Sequence, residues 1–178
     1  MTTKPKNPTE SAMRDGTILG CLWTATFAVS VAMLKSLVNG QGLILSFAVL
    51  AMTLMSPYLT YKLATKHRDS ERGSVISYSE AWMHIIIMYI CAILLSSIVQ
   101  YVFYAYIDPN MFGNLSATLL TFAQNNNIDE QNTKVLADFF NTMNNIGTGE
   151  MILSLMTGHI TRDIFIATIL AITVKKNS

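Results

Sequence analysis

Apolar residues fill four long stretches of this chain, and polar residues gather in the joints between them. The longest stretch covers 79–106. Residues 85–99 carry no charge at all, Trp82 stands where polarity fades, and Tyr101, Tyr104 and Tyr106 close the run ahead of Asp108-Pro109. An uncharged apolar centre with aromatic residues at both ends suits a helix crossing a bilayer, with the rings at the headgroup level. The other stretches read as its partners. The first covers 17–38, with Lys35 near its end, and the second covers 43–61. Pro57 lies near the exit of the second, where a kink or an early stop is tolerated. The last covers about 152–174 and ends at Lys175-Lys176.

The joints differ in kind. Asn39-Gly40-Gln41-Gly42 reads as a tight reversal, and 62–77 as a polar loop rich in Lys and Arg. Residues 108–150 form an insert between the third and fourth spans. In it Leu115, Leu119 and Phe122 fall at helical spacing until Asn125-Asn126-Asn127 breaks the pattern. Val135, Leu136, Phe139, Phe140 and Met143 then form a second stripe, ended by Gly147. This predicts two short amphipathic helices that lie on the membrane, cap the bundle or contribute to a partner interface. The expected fold is an all-α membrane protein: one domain over 1–178 with four transmembrane helices and an amphipathic insert.

Composition supports the membrane reading. Charged residues make up 13% of the 178 residues and hydrophobic ones 51%, about half the usual share of charge in a soluble domain. The net charge of +1 gives no case for a nucleic-acid partner; the lipid bilayer is the expected surrounding. Cys21 and Cys91 each sit inside an apolar stretch, which suggests neither a disulfide nor a metal site. The polar start, with Pro5 and Pro8, followed by an apolar run long enough to span, reads as a retained first helix rather than a cleaved signal. Basic residues are placed unevenly. Lys4, Lys6, Arg14, Lys62, Lys66, Arg68, Arg72, Lys175 and Lys176 would lie on one side, against Lys134 on the other. Both termini are therefore expected in the cytoplasm.

Two groups of residues are candidates for chemistry. Ser77-Tyr78-Ser79-Glu80 has the form of a capping box, in which Ser77 and Glu80 each satisfy the other's backbone amide. Glu80 and His84 are also four apart, on one helix face, and form a candidate pair at the cytoplasmic mouth. The second group belongs to the last span. Its charge-free part, 164–174, covers only about 17 Å at 1.5 Å per residue. A bilayer core of about 30 Å therefore takes in His159, Arg162 and Asp163 as well. Lys35 and Gln100 are expected at a similar depth. Lys35–Asp163 is the expected ion pair, with Arg162 the second choice for Asp163. In one reading the cluster holds a proton, an ion or an anionic headgroup. In the other, Gly158 breaks the helix, Thr161 caps a new one and Arg162 reaches out to the interface. No cofactor is expected, and the absence of any catalytic motif argues against an enzyme.

Gly73-x-x-Ile76-Ser77-Tyr78-x-Glu80-Ala81, the exit Tyr106-Ile107-Asp108-Pro109, the insert and the lysine-ended last span resemble one family. Its members are small bacterial four-span inner-membrane proteins, known only as a domain of unknown function. The resemblance covers nearly the whole chain and implies the same four-span topology; it offers no assigned activity and no catalytic residues to carry over. Thr161-Arg162-Asp163 makes the start of the last span more charged than the resemblance implies. The expected role is a non-enzymatic interaction or accessory subunit of an envelope complex, working with a membrane-protein partner or as a homo-oligomer. The alternative is a small oligomeric carrier or channel that uses the ionisable residues of the last span.

Overall fold

A computed structural model describes residues 8–36, 42–126 and 130–176. The reversal at 39–41, the end of the first apolar stretch at 37–38 and Asn127 fall outside these residues. Six helices follow one another: α1 (Pro8–Lys35), α2 (Gly42–Glu71), α3 (Tyr78–Val102), α4 (Met111–Asn126), α5 (Glu130–Asn145) and α6 (Thr148–Val174). Four of them, α1, α2, α3 and α6, are long and apolar enough to cross a membrane. The protein is all-α, as the four apolar stretches predict.

Helix α3 begins at the expected capping box. The Glu80 amide donates to Ser77 Oγ at 3.3 Å, and the Ser77 amide donates to Glu80 Oε2 at 3.1 Å. It ends in one π-helical turn, Phe103–Ile107, closed by the Asp108 amide on the Phe103 carbonyl at 2.9 Å. Helix α2 runs past Pro57 to Glu71, so 62–71 is helix and not loop. Ser, Thr and long polar side chains there keep the helical period after the apolar run has ended. The joint that remains is short and turns through Gly73 and Ser74, both with positive φ (64° and 68°). Gly73 adopts this conformation without a steric cost, whereas Ser74 carries local strain.

The helices run up and down, with α3 at the centre. Of its apolar window 44% is buried, against 6% for α2, so α3 is the shared neighbour and α2 the peripheral helix. Helix α1 crosses α3 very closely. A Cβ on Gly16 would lie 2.6 Å from the Met88 carbonyl oxygen, and one on Gly20 would lie 2.9 Å from Leu95 Cδ2. Glycines spaced by four let two helix backbones meet, which favours association in lipid through packing alone. Helix α6 packs on the other side of α3. Helices α1 and α6 are thus diagonal across the bundle, not neighbours.

At the end holding Pro8 and Lys176, the chain is tied by an isolated antiparallel bridge between Ile76 and Lys176. Arg68 Nη1 also donates to the Val174 carbonyl at 3.0 Å. At the other end, α4 and α5 pair and pack over the bundle. The Gly113 amide donates to Asn144 Oδ1 at 3.2 Å, and the Tyr104, Phe112 and Phe140 rings stack in sequence. The second stripe of the insert divides. Phe140 is buried and Met143 packs beside it, while Val135, Leu136 and Phe139 are exposed. The core divides too. One apolar cluster centres on Leu19, Ile85 and Tyr89, another on Val31, Tyr104 and Phe140. Between them the bundle is not filled.

Candidate functional site

The gap between the two apolar clusters is a cavity of about 470 Å³, walled by α1, α2, α3 and α6. Trp23 of α1 organises it. Its indole N–H donates to Ser56 Oγ of α2 at 2.8 Å, and its ring stacks on His159 of α6 at 5.4 Å. The Arg162 guanidinium sits 5.6 Å over the same ring, a favourable cation–π position. Helix α6 thereby reaches across the bundle to α1 through side chains.

Arg162 joins its two polar neighbours. Its Nε donates to Asp163 Oδ1 at 2.9 Å, and its Nη2 donates to His159 Nδ1, also at 2.9 Å. A guanidinium has no acceptor, so His159 Nδ1 must accept, and the neutral ring then keeps its proton on Nε2. The other carboxylate oxygen, Asp163 Oδ2, has no hydrogen-bond partner although the residue is only 1% exposed. A buried unsatisfied acceptor is costly, more so when it is charged. Gln100 and Ser96 of α3 and Thr26 and Ser30 of α1 complete the polar lining. Pro57 lies in the α2 wall, where its missing N–H removes one rung of the helix ladder. Leu54 of α2 and Leu155 of α6 also border the cavity, and both are exposed. Helices α2 and α6 touch only lightly, and the two exposed leucines place exposed cavity wall on both of these helices.

Four of the residues expected to cluster in depth do so: Gln100, His159, Arg162 and Asp163 all line this cavity. Lys35 does not join them, and the expected Lys35–Asp163 pair is corrected. Lys35 Nζ binds Asp108 Oδ2 at 2.6 Å, next to the start of α4. The reason is geometric. Lys35 is the last residue of α1, whereas Asp163 lies about 22 Å into α6, reckoned from Thr148 at 1.5 Å per residue. Asp163 pairs instead with its neighbour Arg162, because a long guanidinium arm folds back over the roughly 100° that separates adjacent positions. Helix α6 is unbroken at Gly158, and the Thr161 hydroxyl donates back to the Thr157 carbonyl rather than capping a new helix.

The Glu80–His84 pair also separates. The Glu80 carboxylate folds back onto Ser77 and lies 3.5 Å from Arg72 Nη1. His84 points into the bundle, where it meets residues that the sequence reading had left in a tail and a loop. Its Nε2 is 3.6 Å from Asp15 Oδ2, and its ring stacks on His67 at 4.0 Å. His67 Nδ1 lies 3.2 Å from both Ser11 Oγ and Glu71 Oε2. Ser11, Asp15, His67 and His84 are all buried. One signal was available: Ser11/Asp15 and His67/Glu71 are each four apart, so helical spacing runs on beyond the apolar stretches. Among the described residues, no three His, Cys, Asp or Glu side chains converge to hold a metal ion.

Fold and cavity together define a helical protein with four helices able to span a membrane, surrounding a partly polar chamber. The chain belongs to the DUF4199 family, proteins of unknown function, whose pattern matches residues 14–176. No curated protein and no solved structure matches it.

Proposed function

We propose that this chain is a multi-pass protein of a bacterial inner membrane, with both termini in the cytoplasm. It binds a small membrane-borne molecule in the chamber between α1, α2, α3 and α6, as a binding protein or carrier and not as an enzyme. The observation that carries this reading is the chamber itself. Its volume of about 470 Å³ falls in the range of small-molecule sites, about 300–1,000 Å³. Apolar walls with a few convergent polar groups are the usual make-up of such sites. The chamber lies within one chain, so binding does not depend on an oligomer.

The test is extraction and mass spectrometry of small molecules that co-purify with the protein in a mild detergent. Ser30→Trp, which fills the chamber from α1, should lose a compound that the unaltered protein retains. If the two preparations carry identical compounds in identical amounts, the chamber is not a binding site.

An accessory role in an envelope complex is the second reading, favoured by the exposed apolar face Val135, Leu136 and Phe139 on α5. Purification in mild detergent, followed by protein mass spectrometry, would reveal a partner that Phe139→Ser releases. If no protein co-purifies, this reading is lost.

A further inference from the structure

Resting on the proposal that the chamber binds a membrane-borne molecule, we infer that its ligand is an uncharged, hydroxyl-bearing amphiphile. Its hydroxyl donates to Asp163 Oδ2, and its tail leaves between α2 and α6.

Three observations converge on this class. First, the chamber is electrically balanced. Arg162 and Asp163 are paired at 2.9 Å, and His159 accepts from Arg162 and is therefore neutral. The remaining polar groups on the wall, from Thr26 and Ser30 to Gln100, carry no charge. A charged headgroup would enter a charge-balanced site with largely apolar walls and no free counter-ion, and desolvation would oppose it. An uncharged head avoids that penalty.

Second, one oxygen on the wall lacks a donor. Asp163 lines the chamber, its Oδ2 is buried and has no hydrogen-bond partner, and its Oδ1 is already taken by Arg162. A ligand hydroxyl supplies one proton to this oxygen, and such a bond to a carboxylate is among the stronger ones. A purely apolar molecule would leave it unsatisfied, which is where discrimination arises.

Third, the shape fits a chain with one polar end. Phe27, Met52, Leu155 and Ile166 supply apolar wall around the polar group. Cavity wall is exposed at Leu54 of α2 and Leu155 of α6, so a tail longer than the chamber passes there into the bilayer without crossing a polar surface.

The experiment uses Trp23, which touches both His159 and Arg162, as the reporter. Trp82→Phe removes the other tryptophan, and the protein is placed in nanodiscs of saturated phosphatidylcholine at pH 8. Three probes of equal chain length carry bromine, a contact quencher, next to the head: 2-bromododecan-1-ol, 2-bromododecanoate and 2-bromododecane. The alcohol should quench Trp23 at a mole fraction at least tenfold lower than either of the others. Asp163→Leu should remove that preference and leave quenching by 2-bromododecane in place. Asp163→Asn keeps the shape of the side chain and should reduce the preference, so the result does not depend on whether the leucine variant folds. Equal quenching by alcohol and alkane, or preference for the carboxylate, overturns the ligand class while leaving the chamber a binding site. Absence of quenching by all three overturns the binding reading as well.

Discussion

At the scale of single residues, the tightest commitment is Asp163, whose charge is held deep in the bundle by Arg162 alone. The aspartate is buried while the arginine side chain is 46% exposed, so losing the arginine strands a buried charge, whereas replacing both with apolar groups is often close to neutral. Arg162→Leu should therefore lower thermal stability in detergent clearly, and Arg162→Leu with Asp163→Leu should restore most of the loss. Simple additivity of the two single losses would show that the pair is not coupled. Lys35 gives the contrasting case. Its pair with Asp108 leaves the lysine side chain 51% exposed, and exposed pairs contribute only about 0.2–1 kcal/mol. Lys35→Ala should shift stability slightly, and a Lys35/Asp163 cycle should show no coupling energy; coupling above about 1 kcal/mol would contradict the structure. The chain's polar residues were legible in the sequence as exceptions to an apolar background, but their partners were not. Depth can be counted along one helix, yet pairing depends on where each helix begins. Helix α1 starts at Pro8 and ends at Lys35, which sets Lys35 at the end of the bundle and not at the depth of Asp163. His84 is a similar case, since both of its companions lie in segments that read as non-helical.

At the scale of helices, the apolar stretches were readable because a lipid-crossing helix must satisfy every backbone group internally and show an unbroken apolar run. Their ends were less readable. Helix α2 continues through 62–71 on polar residues, where the hydrophobic signal has stopped but the backbone ladder has not. Contacts between helices were invisible to a reading based on hydropathy, because lipid-facing and protein-facing positions are equally apolar. Gly16-x-x-x-Gly20 has a spacing that favours a close crossing, a signal that hydropathy does not register. Since a methyl at Gly16 would meet a backbone oxygen at 2.6 Å, Gly16→Ala should cost about 1–3 kcal/mol, the usual range for overpacking. Cys21→Ala, on an exposed position of the same helix, should change stability by less than about 0.5 kcal/mol. Equal melting temperatures for Gly16→Ala and the unaltered protein would mean that α1 and α3 do not cross at this point.

At the scale of the whole molecule, two packed ends hold apart a middle that is left open. The α4–α5 pair closes one end and the Ile76–Lys176 bridge ties the other, and the chamber lies between, walled by Trp23 and Ile166 beside one apolar cluster and by Phe27 and Tyr104 of the other. Nothing in the sequence announced an empty volume. A cavity is a property of which side chains fail to meet, and a pattern of residues records only their order. For topology, reporters joined after Ser178 and inserted at Gly73 should signal the cytoplasm, and one after Asn126 should signal the outside. The uneven placement of Lys and Arg carries this expectation, and an outside signal at Ser178 would reverse it. The account as a whole rests on four helices in a bilayer with a chamber open to lipid between α2 and α6. Spin-label accessibility tests it most directly. With Cys21 and Cys91 replaced by alanine, nitroxides are placed at Leu54 and Leu155 in nanodiscs, and collisions with oxygen and with a water-soluble nickel chelate are compared. Both labels should collide freely with oxygen and scarcely with the chelate. Strong collision of either label with the chelate would put the opening in water and contradict the account.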